Sequence, residues 1–410
     1  MKKVVIQGLA VAFALISCLS LQGCSYQVQL SQRLLIQGIG IDYEDGVYRA
    51  TVQVTKVSDQ EENTVSLMNG EGDSAMDALS AITLANGKKP LYSHSLVLVL
   101  GRGCAEEGLS NVMDFFIRYP ESHPTVNVLM ADSSAEDILS TEQEDGKYIQ
   151  ARDIAELAKG GKYNGETVQT EMLDVINQLR GEGSSPYLPI VMQDGESIVS
   201  SGTAVFSGDQ LVADLDEQET RGLLLITGKL HNGTAVVQSP EIGKVTLELE
   251  EASTKISPQI IGEKPRFSIE VECGATIGAA DMPSGKSLDS KMYEKIGELL
   301  EEQLTQNCME AISICIEDNH SDIFNFGRRL YQSQPTYWKQ HEANWREEMD
   351  QAEYDVQVEV QLRRGGQQRP RSDLHDAAPG VRQHDRRSNL GGTVLPVYDL
   401  RLLLHGHCGV

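Results

Sequence analysis

The stretch Tyr354-Asp355-Val356-Gln357-Val358-Glu359-Val360-Gln361-Leu362 alternates apolar and polar residues without a break. A period of two puts Tyr354, Val356, Val358, Val360 and Leu362 on one face, the pattern of a half-buried strand. What lies upstream decides the fold class. Met292, Ile296, Leu299, Leu300, Leu304, Cys308, Ile312 and Cys315 recur mostly at spacings of three and four, which makes one apolar face of a long helix. A second helix is expected to carry Trp338 and Trp345. Further back, Val245, Leu247 and Leu249 alternate with polar partners, as do Phe267, Ile269, Val271 and Cys273. Both read as strands of an antiparallel sheet, and residues 202–206, 211–213 and 223–227 read as further strands. Strands, then helices, then one strand define an α+β unit.

The first half has its own pattern. Residues 34–41 form a strand, Asp45-Gly46 a tight turn, and Tyr48, Ala50, Val52 and Val54 alternate on the return, a hairpin signature. Gly38-Ile39-Gly40 lacks the third glycine and the helix start of a dinucleotide loop. Asp73 or Ser74 caps a helix through Leu84, which Asn86-Gly87 ends. The apolar run 96–100 reads as a central strand covered on both faces. A helix at 108–117, a strand at 125–130 and a helix from 135 follow. Glycine and proline cluster between Arg180 and Gly195. The expected organisation is therefore mixed and antiparallel sheets flanked by helices in two or three successive domains. These are an N-terminal domain over 24–180, a linker over 181–197 and a C-terminal domain over 198–362.

Ahead of this body stand Lys2 and Lys3, an apolar run over 4–21, and Leu21-Gln22-Gly23-Cys24. A charged start, an apolar segment and a small residue before the cut describe a secretory signal, here residues 1–23. Gly23-Cys24 narrows it to the bacterial lipoprotein type, in which the Cys24 thiol takes a diacylglycerol and becomes the first mature residue. The alternative is an uncleaved anchor, because about 18 apolar residues nearly span a bilayer. Beyond the signal no apolar run approaches that length.

The formal charge of −25 repels phosphate backbones and argues against nucleic acid as a partner. It also argues against a broad basic contact with anionic lipid, leaving acyl chains as the main attachment. Cys104, Cys273, Cys308, Cys315 and Cys408 remain after Cys18 and Cys24 are set aside. Cys308 and Cys315 lie about 10.5 Å apart along a helix, too far for a disulfide. The expected state is buried free thiol.

Residues 363–410 depart from the rest. They contain neither Lys nor Glu, and no strand or helix period survives. This stretch reads as translation out of frame, with a disordered basic tail as the alternative. His405, His407 and Cys408 are discounted as zinc ligands accordingly.

Other candidate residues have ordinary readings. His94, between two serines, is a polar approach to a strand, since no Ser/His/acid arrangement accompanies it. Asp322 caps a helix or turn while Phe324 and Phe326 pack in the core. Trp338 and Trp345, seven apart, share a helix face in the core. Asp216-Glu217 and Glu250-Glu251 are solvated surface. No catalytic, metal-binding or cofactor-binding residue emerges.

Several segments resemble the Ger(x)C lipoproteins, the C subunits of bacterial spore nutrient-germinant receptors. They are Gly23-Cys24 followed by Ile39-Gly40-Ile41-Asp42, and Tyr92-Ser93-His94 leading into 96–101. Next come Gly108-Leu109, Asp114-Phe115-Phe116-Ile117-Arg118 and Glu121. The later half adds Gly202-Thr203-Ala204-Val205-Phe206, Leu211-Val212 and Glu219-Thr220-Arg221-Gly222-Leu223. Most specific is Asp322-Ile323-Phe324-Asn325-Phe326-Gly327, with Pro335, Trp338 and Trp345 downstream. The resemblance runs from about Cys24 to Arg363. It implies a non-enzymatic, lipid-anchored subunit on the outer face of the spore inner membrane. There it would work with a multi-spanning A-type and a transporter-like B-type subunit, in a complex that nutrients trigger to release ions and dipicolinate. An extracellular solute-binding lipoprotein is the first alternative and a surface hydrolase the second.

Overall fold

Asp45 and Gly46 take φ of 52° and 85° and close a two-residue turn, with Glu44 opposite Val47. Positive φ at both positions is the turn geometry that matches strand twist, and it joins β1 (Arg33–Glu44) to β2 (Val47–Lys56). The computed structural model describes residues 33–56, 64–119, 123–140, 149–181 and 183–363. The signal segment, Cys24, Glu121, Cys408 and residues 364–410 lie outside the described residues.

From this hairpin the chain adds β3 (Thr64–Gly72), α1 (Ala75–Asn86), β4 (Lys89–Leu91) and β5 (Val97–Leu100). It continues through α2 (Arg102–Glu107), α3 (Leu109–Arg118), β6 (Asn127–Ala131), α4 (Ala135–Ser140) and α5 (Gln150–Lys159). Next are α6 (Gly161–Asn164), α7 (Met172–Arg180), β7 (Tyr187–Asp194), β8 (Ser197–Ser207) and β9 (Gln210–Leu215). The nine strands form one mixed sheet in the order β3-β2-β1-β5-β6-β7-β8-β9, with β4 paired to the start of β1. β1, β5, β6 and β7 run parallel at its centre, and antiparallel hairpins finish both edges.

Parallel strands at the centre must be covered on both faces. Val97, Leu98, Val99 and Leu100 are wholly buried, as the apolar run predicted. Leu98 and Leu100 pack with α1 and α3, while Val97 and Val99 pack with Ile138, Leu139 and Ala151 from α4 and α5. Those helices explain Gly38 and Gly40. A Cβ at Gly38 would lie 2.8 Å from the Ala151 Cβ, and one at Gly40 3.0 Å from Leu139 Cδ1. The pair therefore permits close helix–strand approach and forms no phosphate loop.

The second half comprises α8 (Glu217–Ile226), β10 (Gly233–Ser239), β11 (Gly243–Ile261) and β12 (Lys264–Asp281). It continues with α9 (Ser290–Ile312), α10 (Phe326–Ser333), α11 (Pro335–His341), α12 (Trp345–Met349) and β13 (Glu353–Arg363). β10, β11 and β12 are antiparallel neighbours, and β13 joins β12 in parallel. The inner faces of β11 and β12 pack with Leu300, Leu304 and Cys308 of α9. The chain is thus α+β, with mixed sheets and covering helices.

Three local expectations change. Residues 223–226 are helical, not a strand, and Thr227 is the C-cap: Asp216 and Glu219 form a capping box that starts α8. The run Leu223-Leu224-Leu225-Ile226 is apolar all round because the helix is buried on every side from Thr220 onward. Residues 181–197 are not a spacer. Tyr187 to Val191 are buried in β7, which lies inside the large sheet, and β8 and β9 carry that sheet on to Leu215. Glycine and proline there mark the two ends of a strand. Trp338 and Trp345 stand on two short helices, α11 and α12, with a 3-10 turn at Glu342–Asn344 between them.

The described residues all fall within one compact unit, Met1–Gly365. Val168, Tyr187 and Val205 join the core built by β11, β12 and α9, so the halves share apolar interior. Arg221 on α8 adds a polar tie: its buried guanidinium bonds Glu166 and donates to the Thr234 carbonyl at 3.0 Å. Burial lowers the Arg221 pKa and raises that of Glu166, against their mutual attraction. Removing one member of such a pair leaves the other without its counter-charge. Because Glu166 is partly exposed, we expect Arg221→Ala to cost about 2 kcal/mol through its lost hydrogen bonds, read from the urea midpoint; an unchanged midpoint would remove this tie from the account.

Candidate functional site

The segment after α9 carries the motif residues. The helix loosens into a π turn over Ser313–Asp318 and stops at His320, where φ is 49°. Ser321 N–H donates back to the Cys315 carbonyl at 2.7 Å, and its hydroxyl donates to the Phe206 carbonyl of β8 at 2.6 Å. Asp322 follows, buried. Its carbonyl accepts from Ser185 N–H at 2.8 Å, just before β7. Its carboxylate accepts from Phe326 N–H at 2.9 Å and Gly327 N–H at 2.7 Å, satisfying the first turn of α10, and from Trp345 Nε1–H at 3.1 Å. One residue thus holds the start of α10 and the indole of α12 through its carboxylate, and the approach to β7 through its backbone carbonyl.

The surroundings are tightly fitted. A Cβ at Gly327 would lie 2.7 Å from both Gly183 Cα and Trp338 Cη2, and 2.8 Å from Trp345 Nε1. Gly183 has φ of 69° and faces the same indole, so both glycines are demanded by space. Trp338 and Trp345 rings meet at 5.3 Å. Phe326 contacts Phe267 at 4.8 Å and Tyr354 at 5.0 Å, and Phe267 stacks on Tyr354 at 5.5 Å. These rings tie α10 to β12 and β13.

A cleft of about 400 Å³ opens beside this node, lined by Gln178, Ser184, Ser185, Asp322, Trp345 and Arg346 among others. Its chemistry is polar, without an assembled nucleophile. His320 pairs its ring with Asp350 at 2.9 Å, whereas the Ser207 hydroxyl reaches the His320 backbone carbonyl and not the ring. Among the described residues no group of three or more His, Cys, Asp or Glu could hold a metal ion. Burial pushes the Cys104 and Cys308 thiols up to about 12, and Cys315 up as well; with Cys273 they are buried and free.

The residues weighed from sequence are dispersed. Asp322 caps as expected, and Trp338 and Trp345 are core. His94 is exposed at the end of a single 3-10 turn, Tyr92–His94. Asp216 caps α8, and Glu250 accepts from Thr276 Oγ1 and bonds Arg363 at 2.9 Å, so neither is merely solvated surface. The seam formed by Gly183 and Ser185 was hidden, because loop composition there carries no sign of a partner more than a hundred residues away in sequence.

Two family models cover the body: "Spore germination protein N-terminal domain" over residues 26–193, and "Spore germination B3/ GerAC like, C-terminal" over residues 201–366. The chain belongs to the Ger(x)C family of spore germination proteins. It is similar to spore germination protein KC of Bacillus subtilis (strain 168), 23% identical over 86% of this chain and 94% of that one. Spore germination protein B3 of the same organism is 21% identical, over 84% and 94%. Among solved structures, the crystal structure of the GerBC protein aligns with a TM-score of 0.53 at 17% identity, covering 79% of this chain and 96% of the other. That likeness supports the fold.

Burial raises Asp322 from 3.8 to about 6, even though its three N–H donors favour the ionised form. Between those values the folded chain binds a proton that the unfolded chain has released. Stability from this group is therefore full below 3.8 and declines as pH rises through about 6. The unfolding free-energy gap between the native chain and Asp322→Asn should be larger at about pH 5 than at about pH 7. A gap that narrows toward acid would contradict it. Trp345→Phe, which deletes one donor to this carboxylate, should cost about 2 kcal/mol in urea unfolding.

Proposed function

We propose that this Ger(x)C chain is a non-enzymatic, lipid-anchored subunit of a spore nutrient-germinant receptor. Acyl chains on Cys24 hold the acidic body at the outer face of the spore inner membrane, where it stabilises or couples A-type and B-type membrane subunits. The observation that carries this reading is the pair of germination-family matches over 26–193 and 201–366, directly after the Gly23-Cys24 lipoprotein motif. Two further features agree with it. Among the described residues no helix is long and apolar enough to cross a membrane. The node at Asp322 joins the two family regions through the Ser185 N–H bond to the Asp322 carbonyl and the close approach of Gly183 to Gly327 and Trp338.

The domains on this reading are a signal over 1–23, a mature body to about residue 362, and an atypical tail over 363–410. That tail is proposed to be out of frame, since the family match stops at residue 366. Resequencing the 3′ end of the gene would show a one- or two-base slip near the codons for 363–368; an intact frame would sink the idea.

Cys24→Ala is the direct test of the anchor. The variant should leave the membrane fraction, and spores carrying it should respond more slowly to nutrients while a non-nutrient trigger still works. Full membrane retention with a normal nutrient response would refute the role of the lipid. A solute-binding lipoprotein would instead show a ligand-dependent rise in melting temperature, which the present reading does not require.

A further inference from the structure

Helices α10 and α11 carry charge opposite to that of the body. The chain has 60 acidic residues against 35 Lys and Arg, yet none of the acids lies between Asp322 and Glu342. That interval holds Arg328, Arg329 and Lys339. Elsewhere arginines meet carboxylates: Arg49 bonds Glu71, Arg118 bonds Asp114, Arg266 bonds Asp355 and Arg363 bonds Glu250. Among the described residues, the side chains of Arg328, Arg329 and Lys339 have no hydrogen bond or ion pair. The Arg329 Nε is buried without an acceptor, and burial lowers the pKa of this guanidinium against the attraction of Asp322. Asp322 is already engaged by three N–H donors, and Glu348, on α12, takes the Tyr337 hydroxyl at 2.8 Å.

These side chains share one surface. On α10, Phe326, Gly327 and Leu330 are buried, which turns Arg328, Tyr331 and Gln332 outward at spacings of three and four. On α11, Trp338 is buried while Thr336, Lys339 and Gln340 are exposed. Residues 331–336 are exposed without a break, so the two stripes run into each other. Tyr331, 52% exposed, is the one exposed large apolar side chain of these two helices. The scaffold behind is fixed: Asp322 holds the start of α10, and the Trp338 indole sits against Gly183 and Gly327. The cations are therefore displayed in a set geometry before any partner arrives, which lowers the ordering cost of binding.

Unpaired guanidinium groups beside an exposed tyrosine have the composition of a protein interface. Arg and Tyr are enriched at such surfaces, and the guanidinium fork matches a carboxylate. Neither helix exposes an aliphatic side chain that could enter a bilayer. We propose that α10 and α11 form the surface on which this chain docks an acidic segment of another receptor subunit. Arg328, Arg329 and Lys339 meet its carboxylates, and Tyr331 packs between them. The proposal rests on the receptor-subunit reading and adds to it the place of contact and the charge of the partner segment.

The test uses the full-length lipidated chain in its own spores. The photo-crosslinking residue benzoylphenylalanine replaces Tyr331, or, in a control strain, the exposed Tyr163. After illumination, the adduct at 331 should lie in a stretch of an A-type or B-type subunit rich in Asp and Glu, and 163 should not give it. Arg328→Glu with Lys339→Glu should lower both this adduct and the co-purifying subunits about tenfold or more. Lys286→Glu with Lys291→Glu, the same charge change on exposed lysines before and at the start of α9, should leave both unchanged. All four side chains are exposed, so the urea midpoint should hold in each variant. An adduct at 331 with a second copy of this chain, with lipid alone, or with a segment lacking acids would overturn the proposal. So would the absence of any adduct at 331 while the subunits co-purify. If subunits co-purify undiminished from the Arg328→Glu, Lys339→Glu variant, the receptor reading stands and this surface is wrong. If the native chain co-purifies with no receptor subunit, the receptor reading fails and the proposal falls with it.

Discussion

The buried carboxylate of Asp322 is the constraint on which the joined structure depends. An isolated charge in an apolar interior is costly, and it persists here because three N–H donors converge on it. Those donors come from α10 and α12, and the same residue's carbonyl takes a bond from Ser185 before β7. Each participant is fixed by the others. Gly327 and Gly183 must lack side chains so that the Trp338 indole can sit against them. Ser321 must turn to reach Phe206, which places Asp322 beside the first-half sheet.

Around this node the two family regions form a single body and not two beads on a string. The large sheet continues past the expected boundary through β8 and β9, and the second core takes in Tyr187 and Val205. Arg221 and Glu166 add a second polar tie at some distance along the seam.

Much of the fold was legible because period and turn chemistry speak locally. Asp45-Gly46, the Ser74 cap, the buried run at 97–100 and the alternation of β12 and β13 each matched the structure. The failures share a cause in tertiary context. Leu223 to Ile226 looks like a strand because a fully buried helix has no polar stripe, and only the Asp216–Glu219 box upstream reveals it. Residues 181–197 look like a linker because Gly183 serves a distant tryptophan, a relation that no local pattern records. At the site, the capping role of Asp322 was readable from its spacing to Phe326 and Gly327. Its bonds to Trp345 and Ser185 were not, since they depend on how separate elements pack.

The claim of one clasped body is open to a direct measurement. Both tryptophans of the chain sit at the node, so their fluorescence reports the seam alone. Urea unfolding followed by that fluorescence can be compared with hydrogen exchange at the amides of β5, deep in the first-half sheet. Coincident transitions in the native chain, both displaced together by Asp322→Ala, are the result this account predicts. Loss of the tryptophan signal well before β5 opens, with β5 indifferent to Asp322→Ala, would mean that the two halves stand independently and would contradict it.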